Sequence, residues 1–196
     1  MSTSPTSAET TALLFGSSRR LNVGEYHRMI EAGILHEDER VELLEGVIVA
    51  MAPQRDPHAW AIEWLTRFLV RVLGDEYRVR PQLPLTLGDQ NEPEPDLAVV
   101  RAGSRAKGRH PDSALLVIEV ADDSLRKDRT VKSALYARFG IPEYWIVNVE
   151  DEVIEALTDP NRDAGVYRRL QTFSKEDAIT SVAIPLVSFP VRELFA

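Results

Sequence analysis

The stretch from Asn91 to Ser124 most constrains how this chain can fold. It reads NEPEPDLAVV, then a basic loop RAGSRAKGRHPDS, then ALLVIEVADDS, so that two short apolar segments each carry one acid near one end. Aliphatic and β-branched runs of this length, bounded by proline and glycine, form strands. If they pair antiparallel, the start of the first lies beside the finish of the second, and Asp96 meets Glu119 at the edge of an otherwise apolar sheet. An ionised carboxylate among apolar neighbours is costly unless it is paired, hydrogen-bonded or bound to metal. Taken singly, each acid fits a solvated strand end as well as a site. The two at matching ends of neighbouring strands favour a site, and carboxylates so placed suit a hard cation such as magnesium.

The length of 196 residues predicts one domain from residue 19 onward, long enough to bury its own core. Residues 1–18 lack the basic start and long apolar run of a secretory signal and read as a disordered tail. The chain has no cysteine, which excludes a disulfide framework, a thiolate zinc site and a cysteine nucleophile, and fits a reducing cytoplasm. No segment approaches the ~18 continuous apolar residues of a membrane span. The net charge is -8, from 23 Lys and Arg against 31 Asp and Glu. Such a chain is no general binder of phosphate backbones, so any nucleic-acid contact must come from metal or a local basic patch. Arg101, Arg105, Lys107, Arg109 and His110 form the one concentrated basic run. It reads either as a phosphate grip or as a solvated loop.

The remaining punctuation predicts a mixed sheet flanked by helices. Asn22 with Glu25 three residues later makes a capping box for a helix that stops near Gly33. VELLEGVIVAM reads as a hairpin turning at Glu45-Gly46. Asp56-Pro57 opens a long helix on which Trp60, Trp64, Leu65, Phe68, Leu69, Val72 and Leu73 recur at helical spacing. Tyr77 to Leu87, broken by Pro81 and Pro84, reads as an edge strand. After the two acid-bearing strands, Arg126 to Phe139 reads as a helix with Val131, Ala134, Leu135 and Arg138 on one face, ended by Gly140 and Pro142. EYWIVNVE then gives a buried strand. A hairpin around DPNRDAG, an extension and a short helix over Val191 to Phe195 complete the order. It is neither a repeating βαβ array nor all-β.

Several side chains border the two acids. On the helix after Glu119, Asp128, Lys132 and Tyr136 share one flank at four-residue spacing. Lys132 reads either as a solvated lysine paired with Asp128 or as a cation reaching back to steady a developing anion. Glu42 and Glu45 flank a tight hairpin, where acids are usually solvated. His58, in the first turn of the long helix, reads as an anion contact or a filler of that end. There is no glycine-rich phosphate loop, no G-x-S-x-G and no H-E-x-x-H.

The ordered series EYHRMIEAGIL, ERVELLEGVIVAMAP, the helix from His58, PEPDLAVV, LLVIEVADDS and DRTVKSALYARFGIPEYWIV resembles the Uma-two family, restriction endonuclease-like proteins of the PD-(D/E)XK nuclease superfamily. The likeness covers Asn22 to Glu150. It implies an α/β (α+β) fold, a restriction endonuclease-like core of α-β-β-β-α-β order whose sheet edge binds Mg2+, with Mn2+ as a substitute. Asp96 matches the aspartate of the PD element and Glu119 the acid of the (D/E)XK element. The superfamily places a lysine two residues after that acid, where this chain has Ala121. The family pattern puts a lysine on the next helix, at Lys132. Glu42 matches a family glutamate expected to complete the metal site, and His58 a family histidine without an assigned role. The implied activity is metal-dependent endonucleolytic hydrolysis of nucleic acid, DNA foremost. Cutting two strands suits paired sites, which a homodimer would supply. The contrasting reading is a degenerate nuclease-fold module that binds nucleic acid or a protein without cutting.

Overall fold

The computed structural model describes residues 18–36, 38–104 and 109–196. Residues 1–17 of the expected tail, and Arg105 and Lys107 of the basic loop, lie outside the described residues.

Helix α1 (Val23–Glu31) starts at the expected capping box, with the Asn22 side chain accepting from Glu25 N–H and the Glu25 carboxylate accepting from Asn22 N–H. The hairpin β1 (Val41–Leu44) and β2 (Val47–Ala50) turns at Glu45-Gly46, both with positive φ. Such a turn matches the twist of the strands it joins. The hairpin is tied to the segment before the fourth strand by a bridge between Leu43 and Glu92. Helix α2 (Asp56–Val72) begins one position earlier than its Asp56-Pro57 opening suggests, with Arg55 at the cap and no side-chain cap bond.

Strands β3 (Tyr77–Pro81), β4 (Leu97–Arg101), β5 (Leu116–Ala121), β6 (Glu143–Asn148), β7 (Val153–Asn161) and β8 (Val166–Phe173) form one six-stranded sheet in that order. All neighbours are antiparallel except β5 and β6. A parallel pair needs a crossover, and the helical segment α3 supplies it. This segment has three consecutive parts: an α-helical turn Leu125–Lys127, a π-helical turn Asp128–Lys132 and an α-helix Ser133–Arg138. The order α2-β3-β4-β5-α3-β6 is the α-β-β-β-α-β core expected from the sequence. Strands β9 (Ala178–Thr180) and β10 (Ser188–Pro190) form a small separate pair, followed by a 3-10 turn, Val191–Glu193. No helix among the described residues is long and apolar enough to cross a membrane.

Side chains alternate across the sheet as the pleat requires. Leu97, Val99, Leu116, Ile118, Val120 and Trp145 pack with Leu65, Phe68 and Leu69 of α2. Ala98, Val100, Val117, Ala121, Tyr144 and Ile146 pack on the other side with Leu135 and Tyr136 of α3. Asp96 and Glu119 share the parity of this second set, so both carboxylates lie under α3.

Three local expectations are corrected. The face of α3 that turns inward is Asp128, Lys132, Leu135 and Tyr136, whereas Val131 is exposed. A helix lying over carboxylates buries its polar flank there, and the apolar stripe alone misplaces it. Strand β7 runs on through Pro160, so the last turn is shorter than DPNRDAG. Proline is tolerated because β6 pairs with β7 only as far as Thr158, leaving that edge open. The basic loop joins the far end of β4 to the start of β5. Arg101 is five residues along an extended strand from Asp96, roughly 16 Å away.

The hairpin that carries Glu42 depends on Gly46. Its φ is +70°, and a Cβ there would lie 2.6 Å from Arg20 Cβ and 2.8 Å from the Leu21 carbonyl oxygen. Gly46→Ala is expected to destabilise the protein by more than about 1 kcal/mol in urea unfolding. Gly74→Ala, with open space around it, is expected to change stability by less than about 1 kcal/mol.

Candidate active site

Leu97 and Ile118 are the last ladder partners at one end of β4 and β5, so Asp96 and Glu119 are the next positions outward. Pro93 and Pro95 lack an N–H and keep the ladder from extending. Strand β5 continues past this point beside β6, which leaves its other edge to be satisfied. Asp96 does so with its side chain: Oδ2 accepts from Val120 N–H at 2.8 Å. The same oxygen lies 3.2 Å from His58 Nε2, brought in by the first turn of α2. Among the described residues no hydrogen bond involves Asp96 Oδ1.

Glu119 is buried. Its Oε1 accepts from Lys132 Nζ at 2.9 Å and from the Tyr136 hydroxyl at 2.7 Å. Both donors come from α3, one turn apart. Tyr136 is itself fixed edge-on against Tyr144, with ring centroids 5.0 Å apart. Glu119 Oε2 has no hydrogen bond among the described residues.

Glu42 is not the solvated hairpin acid that its position suggests, being 1% exposed. Its Oε1 faces Lys127 Nζ at 3.0 Å, and its Oε2 faces Lys132 Nζ at 3.2 Å. Oε2 also accepts from Glu94 N–H at 3.3 Å. Asp128, equally buried, accepts from the Ser124 hydroxyl. A cavity of about 40 Å³ opens among these groups, lined by Asp96, Glu119, His58, Lys127, Lys132 and Gln54. That volume suits water or a small ion.

Burial pushes the Glu119 carboxyl up to about 8; the Lys132 ammonium pulls it down, and Asp128, Asp96 and Glu42 push it further up. Burial alone would lower Lys132, but the carboxylates of Glu119, Glu42 and Asp128 outweigh it and hold the ammonium charged. Burial also raises Asp128 and Tyr136, the latter with the charge of Glu119 beside it, so the phenol remains a donor. Five carboxyl groups (Glu42, Glu94, Asp96, Glu119, Asp128) thus share this region with two ammonium groups and the Arg40 guanidinium.

A magnesium-like ion can be tested against this donor set. The side chains offer hard oxygens, and Asp96 Oδ1 and Glu119 Oε2 are the ones without hydrogen bonds. Among the described residues no three His, Asp or Glu side chains gather closely enough to hold a metal together. Mg2+ is commonly held by one or two carboxylates with waters and substrate phosphate completing its shell. The donors fit in that two-carboxylate form, without Glu42.

The structure thus brings together Asp96, Glu119, Lys132, Tyr136, His58 and Glu42 of the residues singled out from sequence. It does not bring in Arg101 or Arg109, which belong to the opposite end of the sheet. Sequence reasoning missed Lys127, because five residues separate it from Lys132 and no α-helical face contains both.

The comparisons with known proteins bear on the family and the fold. The family model Uma2 (Uma-two), described as "Putative restriction endonuclease", matches residues 23–192. Among solved structures, the crystal structure of "a putative nuclease belonging to DUF820 from Anabaena variabilis ATCC 29413" superposes with a TM-score of 0.71 at 16% identity, covering 89% of this chain and 97% of that one. At that identity the likeness concerns the fold. No curated protein matches the chain. With a family match spanning nearly the whole described chain, the protein belongs to the Uma2 family.

Proposed function

We propose that the protein is a nuclease that hydrolyses DNA with the help of a divalent cation, Mg2+ or Mn2+, held by Asp96 and Glu119. The observation that carries this reading is the pairing of those two buried carboxyl groups on adjacent strands, each with one oxygen fixed and one without a hydrogen bond among the described residues, beside a small cavity. The family's description as a restriction endonuclease supplies the reaction class.

A bound cation supplies Lewis acidity, lowering the pKa of a coordinated water and countering charge on the phosphate. The protein's own groups do the rest. Val120 N–H holds Asp96 Oδ2, with His58 Nε2 3.2 Å from it, and Tyr136 with Lys132 holds Glu119 Oε1, so the carboxyl groups keep their orientation as substrate arrives. Lys132 is buried and charged, and its ammonium lies where negative charge grows on a phosphate bound at the carboxylates. It takes the part of the lysine that the superfamily carries at the position of Ala121. Two such sites related by a two-fold axis match the two strands of a duplex.

A second reading has its own support. Lys127 and Lys132 already engage Glu42 and Glu119, and among the described residues no three acidic ligands gather. This suits a module that binds nucleic acid or a protein and leaves it uncut. Calorimetry with Mn2+ beside a plasmid-nicking assay separates the two, since cation binding without nicking supports the module.

Asp96→Asn and Glu119→Gln are each expected to abolish cation-dependent nicking of supercoiled plasmid while the protein stays folded by circular dichroism. Retained nicking in either variant sinks the assignment. Lys132→Met is expected to lower the cleavage rate by at least about 10²–10³-fold, as for loss of one transition-state donor, and also to lower the melting temperature, since it leaves the buried Glu42 and Glu119 without their shared cation.

The Glu119 carboxyl also predicts a pH dependence. Folding raises it from its ordinary value of 4.5 to about 8, so the folded state binds this proton more tightly than the unfolded chain. Its contribution to stability is complete below about pH 4.5 and is lost as pH rises through about 8. The cation-free protein is expected to show a melting temperature falling between pH 5 and 8, with a shallower fall in Glu119→Gln. An equal slope in both proteins contradicts the assignment of that proton.

A further inference from the structure

We infer that Glu42 is a positioning residue and not a metal ligand: it clamps Lys127 and Lys132 into a two-lysine grip for the phosphate of DNA. This rests on the nuclease reading of the site. It adds one catalytic contact, Lys127, and reassigns Glu42.

The oxygens of Glu42 are already committed. Oε1 meets Lys127 Nζ at 3.0 Å; Oε2 meets Lys132 Nζ at 3.2 Å and the Glu94 amide at 3.3 Å. A fully buried carboxylate with two ammonium groups and an amide on it has its charge balanced within the protein. Displacing Lys132 to admit a metal would take one partner from a buried cation, and displacing Lys127 would leave Glu42 with less to balance its charge. Asp96 and Glu119 differ, since each keeps an oxygen without a hydrogen bond among the described residues.

The backbone is shaped for this clamp. Residues five apart stand about 140° apart around an α-helix of 3.6 residues per turn, so Lys127 and Lys132 in such a helix could not both reach one carboxylate. The turn between them, Asp128–Lys132, is π-helical. Its wider i→i+5 repeat brings residue i+5 back near residue i. Lys132 ends up buried against Glu119, while the Lys127 side chain stays a quarter exposed on the cavity wall. Both ammonium groups are thus held at Glu42: that of Lys132 is sealed in, whereas the Lys127 side chain keeps a quarter of its surface open beside the cavity. Together they offset the local negative charge that would repel a phosphate. Arg101, at the opposite end of β4, is not placed to do this.

The test uses the full-length protein and a fluorescein-labelled DNA duplex in EDTA, with binding followed by anisotropy over a salt series. Lys127→Met is expected to bind roughly tenfold more weakly at low salt, and its log–log salt slope is expected to be shallower by about 0.9, one phosphate contact. Lys127→Arg is expected to restore both. Glu42→Gln is expected to weaken duplex binding while its Mn2+ dissociation constant, by calorimetry, stays within about twofold of the wild type. A tenfold or greater loss of Mn2+ affinity in Glu42→Gln makes Glu42 a ligand and overturns the clamp. So does an unchanged affinity and salt slope in Lys127→Met, which decides the matter alone if Glu42→Gln does not fold. A wild type that binds duplex but neither binds Mn2+ nor nicks plasmid overturns the proposed reaction, and a shallower slope in Lys127→Met then still supports the clamp.

Discussion

The ammonium of Lys132, sealed between Glu119 and Glu42, is the interaction on which the rest of the site depends. Removing two carboxylates from water is costly, and only a well-placed cation with further hydrogen bonds offsets that. Here Tyr136 and the Glu94 amide supply the extra bonds. Through this one side chain three separate pieces are joined: the β1–β2 hairpin, the inner strand β5 and the crossover helix. Loss of the cation would leave buried negative charge on two of them, so fold and site are secured by the same contact.

Topology makes the arrangement possible. An antiparallel β4–β5 pair sets Asp96 beside Glu119, and the parallel β5–β6 pair forces a crossover segment to pass over them. That segment must then present polar groups inward at one end and apolar groups at the other. Asp128 and Lys132 meet the first demand, Leu135 and Tyr136 the second. Gly46 is a more distant dependency. Its left-handed turn lets the hairpin lie against Arg20 and Leu21 and so delivers Glu42.

Much of this was legible in the sequence. The element order followed from periodicity and from glycine and proline punctuation, and Asp96 and Glu119 stood out as acids inside apolar runs. What was not legible is physically instructive. A π-helical turn has no pattern of its own, so nothing in the sequence joins Lys127 to Lys132, and the apolar stripe of α3 misplaces its inward face. Glu42 looked solvated because hairpin acids usually are; its burial comes from the Leu43–Glu92 bridge, a contact between segments about fifty residues apart. The basic loop drew attention through composition alone. Strand pairing, which composition does not reveal, sends it to the opposite end of the sheet.

The cavity beside the carboxylates also bears on how a substrate is chosen. At about 40 Å³ it is far below the roughly 300–1,000 Å³ of a site that encloses a drug-sized ligand. On the proposed reading, the space suits a phosphate oxygen better than a base or sugar. A phosphate is the same in all four nucleotides, so a site that takes only phosphate oxygens would carry no sequence information, and a preference for one DNA sequence would be read by surfaces outside it.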